Sequence, residues 1–244
     1  MRPLVTKILL FQLLAGMAVL VCFLILSIRA QQYAFRHRAE RLQVAIQRIE
    51  YGKANLGQLK SVLRSWNPTY DVTPCTENEC SAQVMTGDFA YMHAAFFSNH
   101  GWLFRVYGVL GGRPAIVRAS VGIKDGVVRE NSYGIYIEVF PKESESVGNT
   151  PFGYSLIGGT TMLEALPPER IANSHHPGYW IGWPDGCEIC IAIELHATPE
   201  ASKEDIQRLS KFDFSCLTRW LNPCRDKGDI MPAAWSQSQR DGLT

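Results

Sequence analysis

The 244-residue chain is nearly neutral overall, with 24 Lys/Arg against 23 Asp/Glu and seven cysteines, but its charge is unevenly spread. Residues 29–66 hold eight Lys/Arg against two Asp/Glu (net +6), whereas residues 67–244 hold 14 against 21 (net −7). An acidic C-terminal portion excludes nucleic acid as a partner, because phosphate binding by counterion release needs clustered cations, and its length suffices for one domain with a proper core.

Behind a short tail, residues 1–8, the chain from Leu9 to Ile28 reads LLFQLLAGMAVLVCFLILSI, in which only Gln12 and Ser27 are appreciably polar and no residue is charged. About 20 residues at about 1.5 Å rise span a hydrocarbon core of about 30 Å, so Leu9 to Ile28 is read as a single-pass transmembrane anchor with the lipid bilayer as its partner. A cleaved signal peptide fits less well: the apolar stretch exceeds the roughly 7–15 residues of an h-region, and Ile28 is unsuited to the position two before Ala30. A lipoprotein signal fails because the bulky Val19, Leu20 and Val21 precede Cys22. Flanking positive charges favour a cytoplasmic domain, Arg2 and Lys7 being outnumbered by Arg29, Arg36, Arg38, Arg41 and Arg48. The cysteines argue the other way. Cys75 and Cys80, Cys187 and Cys190, and Cys216 and Cys224 form three close pairs, as suits an oxidising compartment. The expectation is an extracytoplasmic domain on an uncleaved signal anchor.

Residues 29–66 are predicted to be a helical juxtamembrane segment. A helix from Tyr33 to Tyr51, with Leu42, Ile46 and Ile49 along one face, can extend the transmembrane helix and is ended by Gly52. Asn55 then opens a second helix, with Gln58 answering in a capping box and Leu56, Leu59, Leu63 and Trp66 forming a buried stripe. This glycine-broken helix pair at Ile49 to Trp66, followed by strands, is similar in rhythm to small bacterial envelope domains of the outer-membrane assembly lipoprotein type. The resemblance covers only that stretch and implies no function here.

Residues 67–235 are predicted to form a globular α+β domain with an antiparallel sheet and a few short helices, followed by a C-terminal tail, residues 236–244. Residues 81–92 are strand-like. Asn99 is placed as the cap of a short helix with Leu103, Val106, Tyr107 and Leu110 on one face, closed by Gly111 and Gly112. The clearest local signal is a hairpin: two β-rich runs, 115–124 and 127–140, flank Asp125-Gly126, whose turn needs positive φ. Residues 141–151 have the composition of an exposed loop. Strands are expected within 175–183 and over 187–195, a helix over 199–209 capped by Thr198, and a last short helix over 212–221 ended by Pro223.

No motif commits the chain to a reaction. Cys187-Glu-Ile-Cys190 is followed by alternating apolar residues, a strand context, whereas a redox dithiol places its first cysteine at a helix N-terminus. A zinc site built from Cys75, Cys80, Cys187 and Cys190 lacks the usual spacing and the glycine-rich knuckle, so candidate disulfides, Cys75 with Cys80 and Cys216 with Cys224, are preferred. His175, His176 and His196 form no compact ligand pattern, and Ser155 in Gly153-Tyr-Ser-Leu-Ile-Gly158 misses the GxSxG spacing of a nucleophile elbow. The loop-rich aromatic segment with Tyr179, Trp180 and Trp183 is the candidate binding surface. No cofactor is assigned. Two functions compete: a non-catalytic envelope domain that binds a protein partner or acts as a structural accessory, and an enzyme whose thiol- or metal-dependent site is assembled from distant residues.

Overall fold

A computed structural model of the chain describes residues 2–71, 75–93, 96, 101–139, 154–171, 174, 176–182, 190–220 and 222–243. The first helix, α1, runs without interruption over Arg2–Gln47 and changes character along its length. Its first part contains an 18-residue window of mean hydropathy 2.8, none of it buried, and is long and apolar enough to cross a membrane. From Ile28 onward, Gln32, Phe35, Ala39, Leu42 and Ile46 recur every three or four residues, and all are buried. That spacing lays one stripe of the helix against a core. The expected continuity of the apolar stretch with the following helix is therefore observed, although the helix stops at Gln47, short of Tyr51.

Gly52, at φ +71°, turns the chain. Its amide donates to the carbonyl of Val128 at 2.8 Å, and the Val128 amide donates to Ala54 at 2.9 Å. Helix α2 follows over Leu56–Leu63 with the predicted capping box: the Gln58 amide donates to Asn55 Oδ1, and the Asn55 amide to Gln58 Oε1, each at 3.0 Å.

The domain is α+β, built on one seven-stranded sheet: β1 Thr69–Tyr70, β2 Glu79–Gly87, β3 Ala115–Lys124, β4 Val127–Val139, β5 Tyr154–Met162, β6 Tyr179–Gly182 and β7 Cys190–Ala197, in the order β1-β2-β3-β4-β5-β7-β6. The β3–β4 hairpin forms as expected, with φ of 55° at Asp125 and 80° at Gly126. Pairing is mostly antiparallel, but β5 and β7 are parallel, which corrects the expectation of a purely antiparallel sheet. The reason is topological: β6 pairs with the outer edge of β7, so two reversals of direction separate β5 from β7.

The short helices are α3 Phe89–Met92, α4 Gly101–Val109, α5 Pro168–Ile171, α6 Lys203–Leu209, α7 Lys227–Ile230 and α8 Pro232–Arg240, with a 3₁₀ turn at Phe214–Leu217. Several boundaries differ from the sequence expectation for local reasons. The strand predicted over 81–92 ends at Gly87, because Asp88 accepts from the Tyr91 amide at 2.9 Å and starts α3. Ser202, not Thr198, caps α6 by accepting from Asp205 at 3.0 Å, while the Thr198 hydroxyl donates to the Gly178 carbonyl at 3.1 Å. Where a helix is predicted over 212–221, Asp213 caps only the 3₁₀ turn. Asn99, the loop over 141–151, His175, Trp183 and Cys187 lie outside the described residues.

The core lies on one face of the sheet. Val84, Val117, Ile135, Ile137, Leu156, Ile193 and Leu195 meet the buried stripes of α1 and α2 and the residues of α7 and α8 in one cluster. Polar groups fix the position of α1 as well: the Tyr133 hydroxyl donates to Ala39 at 2.9 Å, Asn131 to Ile46 at 3.2 Å, and Gln43 to Ser210 at 2.9 Å. Near Ile28, Gln32 Nε2 donates to Asp88 at 3.2 Å and to the Tyr107 hydroxyl at 2.9 Å. This marks the end of the sheet nearest the apolar part of α1. The β3–β4 turn and Gly52 mark the far end.

Candidate functional site

The pleat of β6 separates the aromatic residues singled out from the sequence. Tyr179 turns inward, is 4 % exposed, and stacks on His176 with ring centroids 4.6 Å apart. Trp180 turns to the opposite, outer face of the sheet. There the Arg170 guanidinium lies 4.7 Å from its ring and the His196 ring 5.5 Å away. Trp183 lies outside the described residues, so of this trio Trp180 alone, half-buried, is placed on the outer face.

The outer face is organised in rows set by the strand register. Met85, Arg118, Gly134, Gly159, Glu194 and Gly182 are successive partners across β2, β3, β4, β5, β7 and β6. Three of these six positions carry no side chain, so the row is the floor of a shallow trough. Its walls are the neighbouring rows, Ser120, Ser132, Thr161, His196 and Trp180 on one side and Ile116, Tyr136, Ile157 and Ala192 on the other. A Cβ at Gly134 would stand 3.2 Å from the Gly158 carbonyl, and one at Gly159 would stand 3.4 Å from Glu194 Cγ. The indole of Trp180 folds over Gly182. Glycine within strands marks places where another group approaches the backbone closely, and that was the sequence signal for this row. What the sequence concealed was the register that aligns it.

Along the wall of the trough nearest the apolar part of α1, Tyr136 and Ser155 share a hydrogen bond of 2.6 Å, and Ser155 Oγ donates to Glu138 Oε2 at 3.2 Å. Burial pushes the Glu138 carboxyl above its ordinary range, against the hydrogen bonds from Tyr136 and Ser155 that favour the charged form. Among the described residues, Ser155 is hydrogen-bonded to Tyr136 and Glu138 and to no imidazole or amine. The cluster can hold a proton and bind a polar group.

An open pocket of about 460 Å³ lies at the far end, lined by Glu164, Leu166, Ile171, Ser174, His176 and Thr198 among others. Ser174, His176 and Asp241 together have the composition of a catalytic triad, but not its geometry. His176 Nε2 faces Asp241 at 2.9 Å and Gln237 Nε2 at 3.0 Å, while Ser174 Oγ donates to the carbonyls of His176 and Tyr179 at 2.6 Å each. The imidazole pins the end of α8 to β6. The serine is satisfied by backbone. Similarly, His196 Nε2 lies 3.0 Å from Glu194 Oε2, and its Nδ1 is buried without a partner.

The structure joins Cys75 to Cys80 with Cα atoms 4.6 Å apart and Cys216 to Cys224 at 4.8 Å. Cys190 is also disulfide-bonded, so three of the four cysteines weighed for zinc are not available as thiolate ligands. The free cysteine among the described residues is Cys22, exposed on the apolar part of α1. Also among the described residues, no three His, Cys, Asp or Glu side chains converge in a group able to hold a metal ion. No family model, curated protein sequence or solved structure matches this chain.

Proposed function

We propose that the chain is a single-pass membrane protein, anchored through residues 9–28, whose domain faces an extracytoplasmic, oxidising compartment and acts there as a protein-binding or structural accessory module. The observation that carries this reading is the continuity of α1, which leaves an uncharged, unburied apolar stretch and enters the core of the domain as the same helix. The bridges Cys75–Cys80 and Cys216–Cys224 support the oxidising side, since such bonds persist where glutathione and thioredoxin do not reduce them. The glycine-floored trough beside Trp180 is the surface assigned to the partner, because Gly134 and Gly159 let a group approach the strand backbone there and Arg118 stands exposed in the same row.

A reporter active only outside the cytoplasm, fused after Thr244, is expected to be active; activity instead from a reporter that works only in the cytoplasm overturns the orientation. Thiol titration of the purified, unreduced protein is expected to find Cys22 alone. Reactive thiols in the domain, or stoichiometric zinc on metal analysis, would move the assignment to a thiol- or metal-dependent enzyme.

A further inference from the structure

We propose that helix α4 and the aromatic and basic side chains around it lie in the headgroup layer of the bilayer, so that the domain is seated on the membrane instead of standing clear of it; this rests on residues 9–28 being the anchor. Helix α4 has two different apolar faces. Its inner face, Phe104 and Tyr107 with Leu103 and Leu110, packs on Ile28 and Ala90. Ile28 is the first buried residue after the exposed span, so α4 stands beside the point where α1 leaves the apolar phase. The outer face presents Trp102, Val106 and Val109, spaced by four and three, at 62 %, 43 % and 81 % exposure. The sequence rhythm put Val106 with the inward residues; the structure turns it outward, and the stripe it completes with Trp102 and Val109 is the pattern of a helix lying in an interface.

The height of α4 is locked, because Gln32, one turn of α1 beyond Ile28, donates to the Tyr107 hydroxyl at 2.9 Å and to the Arg113 carbonyl at 3.3 Å. At the same level the Arg29 guanidinium lies 5.8 Å from the ring of Tyr33 and 5.4 Å from that of Trp220, whose side chain is half exposed. Trp, Tyr and Arg are the side chains enriched where hydrocarbon meets water. Among the described residues no carboxylate pairs with Arg29, Arg113 or Arg225. Burial, with the neighbouring charges of Arg29 and Arg225, holds the Arg113 pKa below its ordinary value. One Arg29 Nη is buried without a partner. Lipid phosphates at this height offset the charge of the guanidinium cluster through the field of the headgroup layer, without touching its buried nitrogens, and their acyl chains cover the apolar stripe.

The test uses the full chain carrying Cys22→Ser and one new cysteine, at Val109, Leu14 or Lys53, labelled with an environment-sensitive fluorophore. Each is reconstituted one per nanodisc of phosphatidylcholine and phosphatidylglycerol containing lipid spin-labelled near the top of the acyl chain. Leu14 reports the anchor, and the exposed Lys53, beside Gly52 at the far end, reports water. The label at Val109 is expected to be quenched on the order of twofold more than that at Lys53, as for an interfacial helix. Equal quenching at Val109 and Lys53, with Leu14 quenched, overturns the proposal while leaving the anchor intact, and leaves the stripe to a protein partner. An unquenched Leu14 overturns the anchor and this proposal with it.

Discussion

Asp88 shows how one buried carboxylate ties sequence to pH response. It accepts hydrogen bonds from the Tyr107 hydroxyl at 2.7 Å, Gln32 Nε2 at 3.2 Å, the Tyr91 amide at 2.9 Å and the Ala115 amide at 3.3 Å. Burial nevertheless raises its pKa above the ordinary 3.8, outweighing the hydrogen bonds, which lower it. A raised carboxyl pKa means that the folded chain takes up the proton more readily than the unfolded one. The stability contributed by protonation is thus fully present below the unfolded value and lost as pH rises through the folded value. Urea midpoints of the parent and Asp88→Asn, measured from acid to neutral pH, are expected to show the parent losing ground to the variant over that window; a pH-independent difference would contradict the assignment. Glycines supply a second residue-scale contrast. Gly52 and Gly178 both have left-handed φ, but a Cβ at Gly52 meets open space, whereas one at Gly178 falls on the backbone of Glu200 and Ala201. Gly52→Ala should cost about 1–2 kcal/mol from the left-handed conformation alone, and Gly178→Ala clearly more, read as the larger drop in melting temperature.

Among the elements, those governed by short-range chemistry were legible from the residues. The Asn55–Gln58 capping box needs only two side chains three positions apart, and Asn55→Ala is expected to destabilise the domain by about 1 kcal/mol in chemical denaturation. The Asp125-Gly126 turn needs only positive φ. The Cys216–Cys224 bridge followed from a chain turning near Asn222-Pro223, and it ties the 3₁₀ turn, which contains Cys216, to the buried Cys224. Converting both cysteines to alanine should cost about 2–3 kcal/mol for so short a loop, and non-reducing peptide mapping of the parent should recover the two peptides linked. Elements that depend on distant partners were missed. Strand β5 is rich in glycine and threonine and has no period-2 signal of its own, but it is held between β4 and β7 across its whole length. Helix α8 carries Gln237 and Ser238 as buried residues, polar positions that no hydrophobic pattern reveals.

For the whole molecule, the main consequence is that the part of α1 after its apolar stretch belongs to the core. Phe35, Ala39 and Leu42 are fully buried, in the cluster that includes Val117, Ile135 and Leu156. A chain lacking residues 1–27 is therefore expected to keep its near-ultraviolet circular dichroism, whereas one lacking residues 1–52 should lose it together with cooperative unfolding; a native spectrum from the shorter chain would show that the sheet stands without α1. The apolar stretch over residues 9–28, the helix that continues it, the α+β class, the β3–β4 hairpin and the Cys75–Cys80 and Cys216–Cys224 pairs could be read from the residues alone, because each depends on periodicity or on residues a few positions apart. The strand order with its parallel β5–β7 pair, the alignment of Arg118, Gly134, Gly159 and Glu194 into one trough, and the outward turn of Val106 emerged from the three-dimensional fold. These depend on register and on which face an element buries, and both are set by long-range packing that minimises exposed apolar area over the whole chain, a quantity no short window of residues contains.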